Sequence, residues 1–309
     1  MNIIRGSLNW FLQLPKDDVI RILQEANRPQ VGVFVPDGSR RLVLAYSDVQ
    51  PNSDGFYLAA ATLPADYVLR TIQLLFEYKL PILMIPILGR SILKRGENYQ
   101  KLTLLEGLRL LFNSEIFLEM YERYDIQVNV YGHPDCLIGT GCQTALNWIQ
   151  ETCAKTSHHK AHKLFYAIGE SPIVGEEAAL NAASFTIKNG RVPTFDEQVI
   201  SYYGAHLPPV DFFIMTSKMG GMGALPNLLV NGDTEIYYLP TVMGLTEINY
   251  RLVLYDLLFR RAALRHGIND FDITPETRHS LMQAYEKSIP KIIGTGFSIG
   301  NVWIMNDDY

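Results

Sequence analysis

The residues best suited to chemistry stand together in one stretch, the sequence DGSRR at positions 37–41, directly after the apolar run VGVFV at 31–35. A carboxylate, a glycine turn that frees backbone N–H groups and two guanidinium groups suit a polyanion with a bound cation. A diphosphate is the obvious candidate. The apolar run predicts a buried strand, which places these groups at its carboxyl end. A strand-end turn with two surface arginines explains the same residues equally well, because Asp and Gly are common in any turn.

Strands and helices alternate along most of the chain. Apolar runs predict strands at 31–35, 81–87, 126–131, 163–168, 212–216 and 235–239, and helical spacing predicts helices at 14–26, 64–78, 99–123, 144–155, 175–188, 194–203 and 246–266. This alternation predicts an α/β fold with a mainly parallel central sheet flanked by helices. No repeat or low-complexity linker interrupts the pattern, so a single domain over residues 1–309 is the economical interpretation.

Composition narrows the class of protein. The 309 residues are 48% hydrophobic with a net charge of −5, and no long Lys/Arg run indicates a nucleic-acid partner. The most apolar run, 80–88, is too short for a transmembrane segment, and residues 1–13 lack the apolar core and cleavage site of a signal peptide. Three cysteines without a C-x-x-C pair (Cys136, Cys142 and Cys153) are expected to be reduced thiols in a cytoplasmic protein.

Three other patterns could carry chemistry, and each is weak. Residues 296–300 have the G-x-S-x-G spacing of a hydrolase nucleophile, but no histidine follows to complete a triad. His158 and His162 have the i, i+4 spacing of a metal-binding pair, with His159 between them, yet their lysine-rich segment is typical of a solvated connector. The glycine-rich loop 218–223 follows a strand but lacks the G-K-[ST] of a P-loop.

The DGSRR turn resembles the first signature of the cis-prenyltransferases, in which a strand ends in a diphosphate-binding D-G-N-x-R turn. The resemblance continues in order over most of the chain, at PILMIPILGRSILKRG (81–96), VNVYGHPDCL (128–137) and the segment 211–240. Within that superfamily the chain is most similar to the tuberculosinol, tuberculosinyl-adenosine and kolavelool synthase group. Shared features are the DGSRR turn, YLAA at 57–60, RGENY at 95–99 and a G-T-G…W tail at 294–303.

One departure from the chain-elongating enzymes is informative. Those enzymes hold a second diphosphate, that of isopentenyl diphosphate, with an R-T-S-G-E-x-R motif. Residues 215–221 here are MTSKMGG, so only Thr216, Ser217 and a compensating Lys218 remain. The loop at 88–93 also lacks the Glu and Asn of the elongating enzymes. Because methionine cannot replace a bidentate arginine, the second anion site is expected to be lost, which favours a reaction with one diphosphate.

The resemblance therefore implies a diterpene synthase. Such an enzyme ionises a bicyclic C20 prenyl diphosphate, releases diphosphate and captures the carbocation with water to give a tertiary diterpene alcohol. Transfer of the prenyl cation to a nucleoside or another acceptor is the nearest alternative, and condensation with isopentenyl diphosphate is a further one. A catalytically silent partner subunit is disfavoured by the intact DGSRR turn. The superfamily also implies a homodimer.

The resemblance assigns roles to individual residues. Gly38, Ser39, Arg40 and Arg41 would bind the diphosphate. Asp37 would be catalytic by holding Mg²⁺, with Glu235 as a second metal ligand, although Glu235 is equally a candidate for a surface residue at a strand end.

Two aromatic residues complete the implied site. Tyr57 and Tyr99 would stabilise the carbocation or orient the attacking water. Because the chain has 17 tyrosines, a role in packing is the alternative for either residue. The helices 64–78 and 99–123 would wall a hydrocarbon tunnel.

Overall fold

Six parallel strands form the centre of the molecule in a computed structural model. The described residues are 7–171, 173, 175–216, 225–241, 243, 245–261, 274–288, 296–299 and 302–305. The strands are β1 (Val31–Val35), β2 (Ile82–Gly89), β3 (Ile126–Gly132), β4 (His162–Glu170), β5 (Phe212–Thr216) and β6 (Glu235–Leu239). Their order is β3-β4-β2-β1-β5-β6, and each neighbouring pair is parallel. The predicted α/β fold with a parallel sheet is confirmed.

Helices connect these strands and cover both faces of the sheet. They are α1 (Leu8–Gln13), α2 (Lys16–Ala26), α3 (Ser39–Tyr46), α4 (Asp54–Glu77), α5 (Glu106–Asn113), α6 (Glu115–Arg123), α7 (Ala145–Thr156), α8 (Glu176–Asn189), α9 (Phe195–Tyr203) and α10 (Glu247–Tyr255), with a further helix at Pro275–Ser288. Tyr99–Leu105 and Asp256–Arg260 are π-helical. Two short strands, β7 (Gly296–Ile299) and β8 (Val302–Met305), form an antiparallel pair. Within the described residues, no helix combines the length and apolar character needed to cross a bilayer.

The structure changes the helix boundaries near the candidate site. Helix α4 begins at Asp54, because Ser53 caps it by accepting a hydrogen bond from the backbone N–H of Phe56 at 3.2 Å, and Pro64 lies inside the helix. The predicted helix 99–123 is three segments: the π-helical segment, α5 and α6, with an extended residue, Ser114, between α5 and α6. Of the predicted helix 246–266, residues 262–266 lie outside the described residues.

Strand β1 is buried on both faces of the sheet, which explains its continuous apolar sequence. Phe34 belongs to the larger core cluster, together with side chains of α2, α4 and α5. Val31 and Val33 belong to a second cluster on the other face, against α9. Burial of each such large apolar side chain stabilises the fold by about 1.5–3 kcal/mol. The strand that ends at the DGSRR turn is therefore fixed from both sides.

A buried carboxylate aligns the start of β1 with the start of β5. The Asp211 side chain is 7% exposed, and its Oδ1 accepts a hydrogen bond from Nε of Arg28 at 2.8 Å. Its Oδ2 accepts hydrogen bonds from the backbone N–H groups of Gln30 at 2.6 Å and Val31 at 3.1 Å. A buried charge with this many donors is well compensated. Asp211 thus sets where β1 begins relative to its neighbour.

The carboxyl end of β1 lies at the point where the order of the strands in the sheet reverses direction. From β1 the chain continues to β2 on one side, whereas β5 pairs with β1 on the other side. In open α/β sheets this switch point leaves a crevice in which ligands bind. The fold therefore places the DGSRR turn at the expected position of a ligand site.

We predict that Gly32→Ala destabilises the protein. An added Cβ would lie 2.5 Å from Cζ and 2.9 Å from Cε2 of Phe212, whose ring is fully buried. Overpacking of this kind costs about 1–3 kcal/mol in the free energy of unfolding, measurable by urea denaturation. Gly107→Ala in α5 is the control, because its Cβ meets nothing within 4 Å. That helical substitution should raise stability by about 0.5–1 kcal/mol. Equal stability of the two variants would contradict the prediction.

Candidate active site

The turn after β1 is a tight structure built around Gly38. The backbone N–H of Asp37 donates to the carbonyl of Val35 at 3.0 Å, and the N–H of Gly38 donates to Asp37 Oδ1 at 2.8 Å. Gly38 has φ 98°, a left-handed conformation that favours glycine, and it caps α3, which begins at Ser39. The first N–H groups of α3 therefore open at the carboxyl edge of the sheet, where a helix start suits an anion.

Thr216, the last residue of β5, holds this turn in place. Its side chain is buried, and its Oγ1 lies 3.0 Å from the carbonyl oxygen of Val35 and 2.8 Å from that of Asp37. The single hydroxyl proton is shared between the two carbonyls. The sequence suggested that Thr216 is a remnant of a second diphosphate site, whereas in the structure its hydroxyl supports the DGSRR turn. Ser217 and Lys218 lie outside the described residues.

The charged groups of the turn form a loose, solvent-exposed arrangement. Asp37 Oδ2 lies 4.0 Å from Nη2 of Arg41, with side-chain exposures of 55% and 30%. Such an exposed ion pair contributes little to stability. Arg40, between them in sequence, is exposed. The turn thus presents one carboxylate and two guanidinium groups to solvent beside the start of α3.

A cleft of about 540 Å³, open to solvent, lies next to Arg40. This volume is within the range of small-molecule sites. Its lining residues come from the turn, the start of α4 and the segment before α5: Arg40, Asn52, Phe56, Tyr57, Arg95, Gly96, Glu97, Asn98 and Tyr99. Three residues predicted from the sequence, Arg40, Tyr57 and Tyr99, are therefore brought together in one cleft.

Two tyrosine rings from different elements meet in this cleft. The ring centroids of Tyr57 in α4 and Tyr99 in the π-helical segment are 6.0 Å apart, with the planes at 85°, an edge-to-face contact. The Oγ1 hydroxyl of Thr103 donates to the Tyr57 carbonyl at 2.7 Å, which ties the π-helical segment to α4. Tyr57 is half-buried and Tyr99 is 8% exposed, so the pair is a fixed aromatic wall.

Arg95 adds a second guanidinium group to the cleft. Its Nη1 donates to the hydroxyl of Tyr99 at 2.7 Å, and its guanidinium carbon lies 4.7 Å from the centroid of the same ring. In the sequence Arg95 appeared only within the RGENY segment. No helical spacing could have assigned Arg95 to the site, because its backbone is extended (φ −74°, ψ 153°) and it precedes the helical residues.

Glu235 does not lie near Asp37 in this chain. It is the first residue of β6 and pairs with Phe212, which in turn pairs with Gly32, so it lies at the amino end of the sheet. Its side chain is 15% exposed and forms an ion pair with Arg261. The expected pair of metal ligands, Asp37 and Glu235, is therefore not assembled within one chain.

Asp37 alone still fits a magnesium ion. Mg²⁺ is commonly held by one or two carboxylates, with substrate phosphate oxygens and water completing its shell. An exposed carboxylate beside two arginines and a helix start offers that donor set to a metal diphosphate. Asp37 is accordingly the residue that would hold Mg²⁺.

The structure removes two weaker candidates. Ser298 lies within β7, opposite Trp303 of β8, so the G-x-S-x-G spacing is not a strand–turn–helix elbow. His162 is buried, with Nδ1 2.8 Å from the Leu80 carbonyl and its ring stacked on Phe76 at 4.5 Å. Burial lowers the pKa of His162. The i, i+4 metal pair of His158 and His162 is therefore not formed.

The cysteines do not provide a nucleophile. Cys136, Cys142 and Cys153 are free. Burial raises the pKa of Cys142 and of Cys153 to about 11, and it raises the pKa of Cys136 as well. These groups are therefore thiols rather than reactive thiolates at neutral pH.

Comparison with known proteins finds a relative that matches the chain over nearly its full length, and solved structures with a similar fold. No family model matches the chain. Tuberculosinyl adenosine transferase from Mycobacterium tuberculosis (strain CDC 1551 / Oshkosh) is 28% identical over 319 aligned positions, covering 98% of this chain and 99% of that protein.

Two such structures share the fold at low sequence identity. Lavandulyl diphosphate synthase from Lavandula x intermedia, in complex with dimethylallyl diphosphate, has a TM-score of 0.61 at 14% identity, covering 74% of this chain and 94% of that chain. A probable undecaprenyl diphosphate synthase from Campylobacter jejuni has a TM-score of 0.52 at 14% identity, covering 75% and 95%. This chain is therefore similar over nearly its full length to the mycobacterial transferase, and it shares its six-stranded parallel fold with the two diphosphate synthases.

Proposed function

We propose that this protein is an enzyme that ionises a C20 prenyl diphosphate, releases diphosphate and transfers the prenyl group to a nucleoside. The proposal rests on one observation: Arg40 of the β1 turn lines the same cleft as the aromatic pair of Tyr57 and Tyr99. The cleft thus offers guanidinium groups for an anion and aromatic rings for a carbocation. Both are needed by a substrate that separates into these two ions.

The β1 turn is suited to the leaving diphosphate. As the carbon–oxygen bond breaks, negative charge grows on the diphosphate, and fixed donors aimed at that charge lower the barrier. Arg40, Arg41 and the N–H groups at the start of α3 provide these donors. When bound at Asp37, Mg²⁺ would offset a further part of the charge on the diphosphate.

The aromatic pair is suited to the prenyl cation. A cation is attracted to the negative face of an aromatic ring, and a tyrosine ring does not capture the cation irreversibly as a carboxylate would. The ring of Tyr99 is held by Arg95 and by its edge-to-face contact with Tyr57. Because the Arg95 guanidinium already lies over the ring of Tyr99, Tyr57 would be the main stabiliser of the cation, with Tyr99 packed edge-to-face against it, until the acceptor attacks.

The choice of a nucleoside over water rests on the full-length relative. That relative is named a tuberculosinyl adenosine transferase, which favours transfer to a nucleoside over the capture by water that the sequence suggested first. Condensation with isopentenyl diphosphate is disfavoured because residues 215–221 lack both arginines and the glutamate of the elongation motif.

The purified chain should be incubated with Mg²⁺ and linear or bicyclic C15 and C20 diphosphates, with and without adenosine. Products should be identified by mass spectrometry. We expect a prenylated nucleoside from a bicyclic C20 diphosphate only when adenosine is present. If a tertiary diterpene alcohol formed even though adenosine was present, the acceptor would be water and not the nucleoside. Elongated polyprenyl diphosphates formed from isopentenyl diphosphate would refute both forms of the proposal.

Replacement of Arg40 should impair release of diphosphate. Removal of one donor to a developing oxyanion typically lowers kcat by about 10²–10³-fold, and we expect Arg40→Ala to fall in this range. Arg40→Lys should retain intermediate activity, because lysine keeps the charge but not the bidentate geometry. The matched control is Arg70→Ala on α4, where Arg70 is exposed and pairs with Asp66 at 2.7 Å. Wild-type kcat in Arg40→Ala would exclude Arg40 from the reaction.

Replacement of Thr216 should disturb the same turn indirectly. Thr216→Val keeps the shape of the side chain but removes the hydroxyl donor to the Asp37 carbonyl and leaves the Val35 carbonyl with the Asp37 N–H, at a cost of about 1–3 kcal/mol in stability. We expect diphosphate release to slow by about tenfold or more, since misplacement of a catalytic group is costly. Thr216→Ser should restore both properties. In the control, Thr62→Val, the lost bond is a local one to the Leu58 carbonyl on an exposed helix face. Full activity of Thr216→Val would show that the turn does not need this bond.

A further inference from the structure

Three potential metal ligands meet at the amino edge of the sheet, opposite the edge that carries the candidate active site. Glu122 lies near the end of α6, and His158 and His159 lie in the connector between α7 and β4. One ligand atom from each residue lies within 4.8 Å of the other two. Two imidazoles and a carboxylate are a donor set that suits zinc and related divalent metals.

The environment of His159 is the observation that points to a cation. Its side chain is 3% exposed, and its Nδ1 lies 2.9 Å from the carbonyl oxygen of Ile126. Its Nε2 lies 3.1 Å from Oε2 of Glu122. Both partners accept hydrogen bonds, so His159 needs a positive charge at Nε2, which either a second ring proton or a bound metal ion would supply. When Nδ1–H donates to Ile126 in the neutral ring, the Nε2 lone pair faces the carboxylate, and a metal ion bound by both would take the place of that proton.

The backbone already holds these groups in place. In a metal-bound histidine, the ring nitrogen that does not bind the metal usually donates a hydrogen bond to a carbonyl or carboxylate. That bond fixes the tautomer and the orientation of the ring. The His158 ring centroid lies 4.2 Å from that of His159, at an interplanar angle of 61°. Asp125 Oδ2 accepts from the N–H groups of Lys160 at 3.1 Å and Ala161 at 2.8 Å, which anchors the connector after the two histidines.

We propose that Glu122, His158 and His159 bind one divalent transition-metal ion of the zinc class, with water at the fourth position. The site would join the end of α6 to the connector that leads into β4. It is independent of the reaction at the opposite edge of the sheet, so failure of one proposal leaves the other standing. His162 takes no part, since its ring is committed to Leu80 and Phe76.

Zinc binding by the full chain provides the test. After treatment with a chelator and its removal, the protein should be titrated with Zn²⁺ by calorimetry and with Co²⁺ by visible absorption. We expect one metal ion per chain, tetrahedral Co²⁺ bands, and a Zn²⁺-dependent rise in Tm, because the ion binds the folded chain. Glu122→Gln and His158→Ala alter exposed side chains, so both variants are expected to fold. Each should weaken Zn²⁺ binding by about tenfold or more and reduce the Tm shift.

A matched control separates this site from general binding to surface histidines. His206 is exposed and lies with its Nε2 3.6 Å from Oδ1 of Asp196, a histidine–carboxylate pair outside the proposed cluster. His206→Ala should bind Zn²⁺ as the wild type does. The proposal is overturned if the wild type shows no saturable binding, if both cluster variants bind normally, or if His206→Ala loses affinity to the same extent.

Discussion

The candidate active site depends on the alignment of β1 with β5. Asp211 fixes this alignment at the amino end through the backbone of Gln30 and Val31, and Thr216 fixes it at the carboxyl end through the carbonyls of Val35 and Asp37. A slip of one residue would exchange the two faces of β1, placing Phe34 where Val33 now packs. Such a slip would also move the carbonyls of Val35 and Asp37 out of register with the hydroxyl of Thr216. The position of the proposed diphosphate donors is thus a consequence of strand register as much as of the DGSRR sequence itself.

The buried strands could be predicted well from the sequence, and the helices near the site less well. The bounds of β1 and β5 are as predicted, because buried parallel strands are short apolar runs flanked by turn residues. The bounds of β6, a partly exposed strand at the edge of the sheet, are as predicted too. Helix α3 was missed because it begins inside the polar DGSRR segment, where a turn explains the residues equally well. The start of α4 was misplaced because Pro64 resembles a helix beginning, whereas Ser53 is the actual cap.

The structure brings some of the predicted site residues together and keeps others apart, for identifiable reasons. Arg40, Tyr57 and Tyr99 share a cleft, but only the resemblance singled them out, since periodicity cannot say which helix faces meet. Asp37 and Glu235 were expected to meet, although the sequence held the opposite signal: Asp37 follows a strand, whereas Glu235 begins one. In a parallel sheet these positions lie at opposite edges. The role of Thr216 requires knowledge that β5 adjoins β1, which no local pattern provides.

The π-helical segment Tyr99–Leu105 determines the direction in which Tyr99 points. A π-helical turn contains more residues than an α-helical turn and often marks a functional position. If one residue were deleted from this segment and the rest became α-helical, the tighter turns would span nearly the same rotation with one residue fewer, so Tyr99 would keep its direction relative to α5. Leu108 and Leu111, packed in the core through α5, would keep their places. The aromatic pairing in the cleft therefore tolerates the loss of one codon from the π-helical segment, because the wide turn holds one residue more than an α-helical path needs.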